Sequence, residues 1–303
     1  IRGVSPQSTN ITINGIPFND PESMGTFWVN LPDFSSSIES LQVQRGVGTS
    51  TNGSGAFGAS INILTDIVSD EPFAELSSSF GSYNTLKNTI KFSTGKINDH
   101  FELSGRLSKI DSDGYVDRAY SDLKSYFIQG AYTNGSTLIK AISFGGHEKT
   151  YQAWYGLSMD QVEENRRQNP YTYENEIDNY KQDHFQLHWN EKINNYWSFN
   201  LGLNYTDGRG YFEQYKEDDD INTYGGIVKS DIDNNGQETG TTDLIRRRWL
   251  DNDFYVLNSS INYIKDKIDL TLSSSYSSYV GDHYGEVIWA RSLSNTGEIR
   301  DRY

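Results

Sequence analysis

The stretch Tyr196-Trp-Ser-Phe-Asn-Leu-Gly-Leu-Asn-Tyr-Thr206 sets Trp197, Phe199, Leu201, Leu203 and Tyr205 in alternation with Ser198, Asn200, Gly202 and Asn204. Successive side chains of a β-strand point to opposite faces, so this segment has one apolar and one polar face. The same pattern recurs in about nine segments after Pro72, which we place near 73–81, 85–96, 100–110, 123–133, 137–149, 182–192, 196–207, 248–264 and 267–280. The outward sets read Phe101, Leu103 and Leu107; Phe185, Leu187 and Trp189; Tyr255, Leu257, Ile261 and Tyr263; Ile268, Leu270, Leu272 and Tyr276.

The connections say what kind of sheet this is. Gly81–Asn84 is short; thereafter Lys96–Asp99, Asn134–Ser136, Lys192–Asn195 and Lys265–Asp266 are tight turns. Alternating with them, Asp111–Asp122, Thr150–Lys181, Asp207–Arg247 and the stretch after Gly281 are long. Short turns at one rim and long loops at the other mark an outer-membrane barrel, whereas a soluble sandwich or solenoid has no such parity. Most segments also offer the ~9 to 11 residues that a tilted strand needs to cross a bilayer. Tyr126, Tyr132, Trp189, Tyr196, Trp197 and Tyr263 gather toward strand ends, where an interfacial aromatic belt would lie. The expected fold of residues 67–303 is all-β: a transmembrane antiparallel β-barrel.

Composition agrees with strands and narrows the function. Of 303 residues 35% are apolar, with 21 Tyr, 14 Phe and only 6 Pro. No run approaches the ~18 to 20 apolar residues of a membrane-spanning helix, but a barrel strand shows lipid only every second residue. A net charge of −15 argues against nucleic acid as a partner. Cysteine is absent, so neither disulfides nor thiolate metal sites can form. Ile1-Arg2-Gly3-Val4 already reads as domain interior, so a targeting segment is expected upstream.

Residues 1–66 differ from the rest. They are rich in Gly, Ser and Asn, with short β-like pieces at Ile11–Ile13, Leu41–Gln44 and Ser60–Leu64. Ile38-Glu-Ser-Leu-Gln-Val-Gln-Arg-Gly46, followed by Gly53-Ser-Gly-Ala-Phe-Gly-Ala-Ser-Ile-Asn-Ile-Leu-Thr65, resembles the end of the plug domain of TonB-dependent outer-membrane receptors of the siderophore type. Arg2-Gly3 and Ile11-Thr-Ile-Asn-Gly-Ile-Pro-Phe18 are similar to earlier phrases of the same domain. The motif positions are Arg2, Gly3, Arg45, Gly46, Gly53, Gly55, Gly58 and Asn62. Gly53-x-Gly55-x-x-Gly58 also has the form of a dinucleotide fingerprint, but it leads into strand-like Ser-Ile-Asn-Ile, with no helix N-terminus to take a pyrophosphate.

The resemblance implies the C-terminal part of a plug at 1–66, followed by about nine of an expected 22 barrel strands. It implies a multi-pass barrel in the bacterial outer membrane, in contact with its lipid. It also implies coupling to TonB with ExbB and ExbD, through a segment outside this chain. The cargo would be a scarce metal complex, foremost a ferric siderophore, with cobalamin or haem as alternatives within the family. A passive porin or structural outer-membrane protein is the alternative of another class; residues 1–66 argue against it, since a porin needs an open lumen.

In that family cargo sits between the extracellular loops and the plug tip. The plug candidates are Asn19, Glu22, Met24, Phe27 and above all Trp28. The loop candidates are Trp154, Tyr155, Arg166 and Arg167, and Tyr211 and Tyr215 beside the Arg246-Arg247-Arg248-Trp249 cluster. Arginine forks and aromatic faces suit a planar anionic chelate.

Asp231-Ile-Asp233-Asn-Asn235-Gly236 resembles the first half of a calcium loop, although Thr242 stands where a bidentate glutamate would be needed. A structural calcium on Asp231, Asp233 and Asn235 is the one cofactor to consider. His184 and His188 stand four apart but on a strand, where they share the inward face with Gln186 and find no third ligand. With no nucleophile and base arrangement elsewhere, an enzyme is not expected.

Overall fold

The computed structural model describes Gly3 and residues 5–47, 57–294 and 297–303. Arg2, Gly53 and Gly55 of the plug motif lie outside the described residues. The first sheet contains β1 (Thr9–Ile13), β2 (Ile16–Pro17), β3 (Ile38–Arg45) and β4 (Ala59–Thr65) in the order β2-β1-β4-β3. β1 and β4 run parallel, and the other pairs are antiparallel. Asn14 and Gly15 join β1 to β2 with both residues at positive φ, the two-residue turn for which Asn-Gly is the preferred sequence.

The second sheet is an antiparallel meander of nine strands: β5 (Pro72–Gly81), β6 (Thr85–Thr94), β7 (Phe101–Ser112), β8 (Ser121–Thr133), β9 (Thr137–Tyr151), β10 (Ile177–Lys192), β11 (Trp197–Asp220), β12 (Thr241–Lys265) and β13 (Ile268–Ala290). Each predicted segment corresponds to one strand, and the short and long connections alternate as expected. Register keeps the two faces apart across the sheet. Leu103, Gly130, Ala141, Leu187, Leu203, Leu257 and Tyr276 form one continuous row, and Ser104, Gln129, Ile142, Gln186, Asn204, Val256 and Ser277 form the next. Leu103, Leu187 and Leu257 of the first row are exposed and Leu203 is half-buried, whereas Ser104, Gln129, Ile142, Gln186, Asn204 and Val256 are buried. The polar face is therefore the covered one, inverting the rule for a soluble sheet and matching a barrel that shows hydrocarbon to lipid.

The first sheet does the covering. Ile11, Ile13, Leu31, Phe34 and Ile63 pack into one cluster with Phe127, Ile142 and Phe144, which stand at inward positions of β8 and β9. Phe34 lies 5.1 Å from Phe144, whose ring stacks on His184 at 4.6 Å. Close approach uses glycine: a Cβ on Gly146 of β9 would fall 2.4 Å from Pro32 Cδ, and one on Gly202 of β11 would fall 3.3 Å from Ile16 Cδ1.

Aromatics form two outward bands. Trp189 with Phe199, and Trp197 with Tyr263, lie at the short-turn rim. Phe185, Tyr205 and Tyr255 stack in a row farther up. From Trp197 to Tyr205 the strand rises roughly 26 Å, so at ~45° the bands stand roughly 19 Å apart in height, within the ~25 Å of a barrel's apolar belt.

The upper ends depart from expectation. β11, β12 and β13 carry 24, 25 and 23 residues. At ~3.3 Å per residue that is roughly 80 Å, about twice what a tilted bilayer crossing uses. The ladder between β11 and β12 continues to Asp220 and Thr241. Tyr211, Tyr215 and Arg246 to Trp249 thus belong to strands rather than to the loop first assigned to them.

Candidate functional site

Between the first sheet and the upper inner wall lies a cavity of about 200 Å³. Its floor is the segment after β2. Asn19 fixes that segment: its Oδ1 accepts from the Ile11 amide (2.7 Å), and its Nδ2 donates to the carbonyls of Thr9 (2.9 Å) and Met24 (3.0 Å). Asp20 accepts from the amides of Ser23 (2.7 Å) and Glu22 (3.2 Å), closing a knuckle with Met24 at φ 57°. Phe27 and Val29 then line the cavity, and Phe18 packs between Trp28 (6.0 Å) and His184 (5.6 Å). Trp28, the favoured plug candidate, is half exposed beside the cavity and supports Phe18. Glu22 reaches the wall, accepting from Tyr279 Oη (3.3 Å) and lying 3.2 Å from His283 Nε2.

The walls come from β9 to β13 and include Glu148, Asp178, Tyr180, His184, Phe212, Arg248 and Tyr279. His184 and His188 lie on the covered face, as their spacing on a strand requires. Thr206 Oγ1 bonds His184 Nδ1 at 2.9 Å, and Nε2 is buried without a partner in the structure. Trp154 meets Phe212 edge-on at 5.5 Å, which brings the long 152–176 loop over the cavity.

Other loop candidates serve the loops themselves. Arg167 donates to the Tyr115 carbonyl (3.0 Å) and pairs with Asp117 (3.4 Å), tying 152–176 to 113–120. Arg118 returns the tie through the carbonyls of Asn169 (2.8 Å) and Tyr171. Tyr155 packs against Tyr171 with the rings tilted and 4.9 Å apart, and Arg166 is exposed. Tyr211 and Tyr215 share the parity of Leu203 and Tyr205 up β11, and of the two Tyr211 is among the residues lining the cavity. Arg247 lies 4.3 Å over Tyr211 and pairs with Glu213 (2.8 Å), while Tyr215 donates to Asp243 (2.6 Å). Of the arginine cluster, Arg248 faces the cavity.

The calcium reading meets a loop already closed by protein donors. Asp231 accepts from Ser292 (2.7 Å), Thr242 (2.9 Å) and Arg291 (3.0 Å). Asp233 accepts from the amides of Asn235 and Gln237, both at 2.8 Å. These contacts hold both carboxyl groups below the ordinary range: for Asp231 they outweigh burial, and for Asp233 the Gln237 amide contributes most. The oxygens of the two carboxylates turn to separate protein partners. Among the described residues no group of three or more His, Asp or Glu is arranged to hold a metal ion.

The motif positions are structural. Gly46 adopts φ 81° and donates to the Gly58 carbonyl (2.9 Å), Gly58 donates to Ser8 (2.8 Å), and Asn62 accepts from Thr12 (2.9 Å). Arg45 ends β3 opposite Ala59, and Gly3 has φ 75°.

Missed by sequence reading was Asp33, a buried carboxylate that receives Lys87, Arg106 (3.2 Å), Thr89 (3.2 Å) and Ser108 from β6 and β7. Arg106, also fully buried, was legible as a charge at an inward position beside Leu107; its partner was not.

A plug packed against the polar face of a sheet whose outward face is apolar defines a class, and comparison gives that class its name. Residues 1–60 match the family TonB-dependent Receptor Plug Domain, and the chain has the fold of a TonB-dependent receptor. A probable TonB-dependent siderophore receptor, PirA of Acinetobacter baumannii, is 35% identical over 79 residues, 23% of this chain and 10% of the relative. The ferric-catecholate import receptor Fiu of E. coli K12, in its open form, superposes with a TM-score of 0.69 at 13% identity, covering 99% of this chain and 47% of Fiu. The ferric citrate transporter FecA, unliganded, gives 0.68 at 14% identity, covering 100% and 44%. The chain thus spans less than half the length of either receptor.

Proposed function

We propose that the protein is an outer-membrane receptor that imports a ferric siderophore, drawing energy from the inner membrane through TonB, ExbB and ExbD. The observation that carries this reading is the plug seated against the polar inner wall, with an aromatic-floored cavity between its tip and the long loops. Further strands would complete the ring, since the unpaired edges of β5 and β13 cannot face lipid. PirA, Fiu and FecA, by their names, handle siderophores or ferric chelates, which favours iron over cobalamin or haem. No step of the reading needs calcium or catalysis.

The test is growth of a strain lacking the gene under iron chelation, with single ferric siderophores supplied. We expect loss of growth on at least one, restored by the gene only where TonB is present. Unimpaired growth on every ferric complex, with a defect on cobalamin or haem, would contradict the cargo; restoration without TonB would contradict the mechanism.

A further inference from the structure

Two acids border the cavity without a cation of their own, Glu148 buried and Asp178 half-buried. Glu148 on β9 is 1% exposed, and its side chain's bond is with Thr150 Oγ1 at 3.3 Å. Asp178 on β10 stands opposite Thr150, and Tyr180 stands opposite Glu148. The acids are therefore diagonal neighbours on the inner face, with Cα atoms about 7 to 8 Å apart, a spacing at which two carboxylates can share one cation. Neither forms an ion pair among the described residues.

Asp33 shows how the same fold treats a buried acid that belongs to its own architecture. It is given Lys87 and Arg106 at once. A carboxylate removed from water without such partners is costly, and the cost is recovered when a ligand brings the missing charge. Charged groups elsewhere around the cavity do not supply it. Asp20 is acidic, and Arg248 stands on β12 with the whole of β11 between it and β10. His184 Nε2, buried and unpartnered, adds another polar group to the same wall.

Resting on the siderophore reading above, we propose that the β9–β10 side of the cavity is a subsite for a cationic nitrogen of the cargo, an ammonium or guanidinium, received by Glu148 and Asp178. Arg248 is left for the chelate's anionic part. The cargo class is then a zwitterionic or cationic ferric complex, such as a hydroxamate with a free amine, rather than a trianionic tricatecholate. This revises the anionic preference read from the loop arginines, because Arg167 is spent between loops and Arg247 faces outward.

The experiment is iron uptake by cells carrying the full-length receptor, wild type or Glu148→Gln/Asp178→Asn. The probes are ferrioxamine B, whose tail ends in an ammonium, its N-acetylated form, ferric citrate and ferric enterobactin. We expect uptake of ferrioxamine B to exceed that of the acetylated form about tenfold, and the double variant to lose the preference while keeping normal amounts of heat-modifiable receptor. Equal uptake of the two forms, a preference that survives the double substitution, or uptake confined to citrate or enterobactin would overturn the subsite. Uptake of none of the four would overturn the siderophore reading itself, a distinguishable result.

Discussion

Asp33 sits in the left-handed region at φ 52°, and that conformation turns its carboxylate from the plug into the wall. One oxygen faces Lys87 and Ser36 (2.7 Å), and the other faces Arg106, Thr89 and Ser108. Burial by itself would raise its pKa, but the bonds from Lys87, Ser108 and Ser36 and the Lys87 charge leave it below the ordinary 3.8. A folded value below the unfolded one places the stabilisation fully above the ordinary range. It is lost only as pH falls through the lowered value, so plug seating should not vary between neutral and mildly acidic pH. Removing the carboxylate strands Arg106, which also donates to Ser37 at 2.7 Å. Asp33→Ala should cost about 3 to 5 kcal/mol, and adding Arg106→Leu should recover part of it. Thermal unfolding of the full-length protein in detergent checks this; an unchanged midpoint for Asp33→Ala would refute it. At this scale the sequence was only half legible: an inward charge on a strand is visible from parity, while its partner 73 residues away is not.

Strand positions were legible because alternation has a physical cause, an apolar face turned outward and a polar face turned to the plug. Leu201 lies between the two aromatic bands of β11, opposite Trp189 and Ser259, so Leu201→Arg should destabilise the protein in membranes by ~2 to 4 kcal/mol. Asn200 points inward and donates to Ser260 (3.0 Å), so Asn200→Arg should be mild. Urea unfolding in lipid vesicles compares them, and equal losses would reverse the face assignment. Strand ends were not legible for the complementary reason. Above Tyr205, from Asp207 to Asp220, both faces carry charged and polar residues, so apolar alternation stops while the ladder of β11 and β12 continues. Reading the fading pattern as a loop took Tyr211 and Tyr215, which lie on the strand, for loop residues.

For the whole molecule, plug and wall share one apolar core through Phe34, Phe127, Ile142 and Phe144. The Gly-Ala-Phe-Gly phrase announced the plug, but nothing in a linear pattern says which strands it leans on. Those contacts come from Gly146 and Phe144 on β9 and Arg106 on β7, residues that a single strand reading leaves unremarked. The cavity acids escaped for the same reason: Glu148 and Asp178 become neighbours only when β9 pairs with β10.

On the reading proposed above, residues 1–66 close a lumen that the completed ring of strands would enclose. Single-molecule conductance in planar bilayers, comparing the full-length protein with the same protein lacking residues 1–66, tests it most directly. We expect the intact protein to be silent and the truncated one to open a large, ungated conductance. A steady conductance in the intact protein, unchanged by the truncation, would show a porin and contradict the plugged receptor.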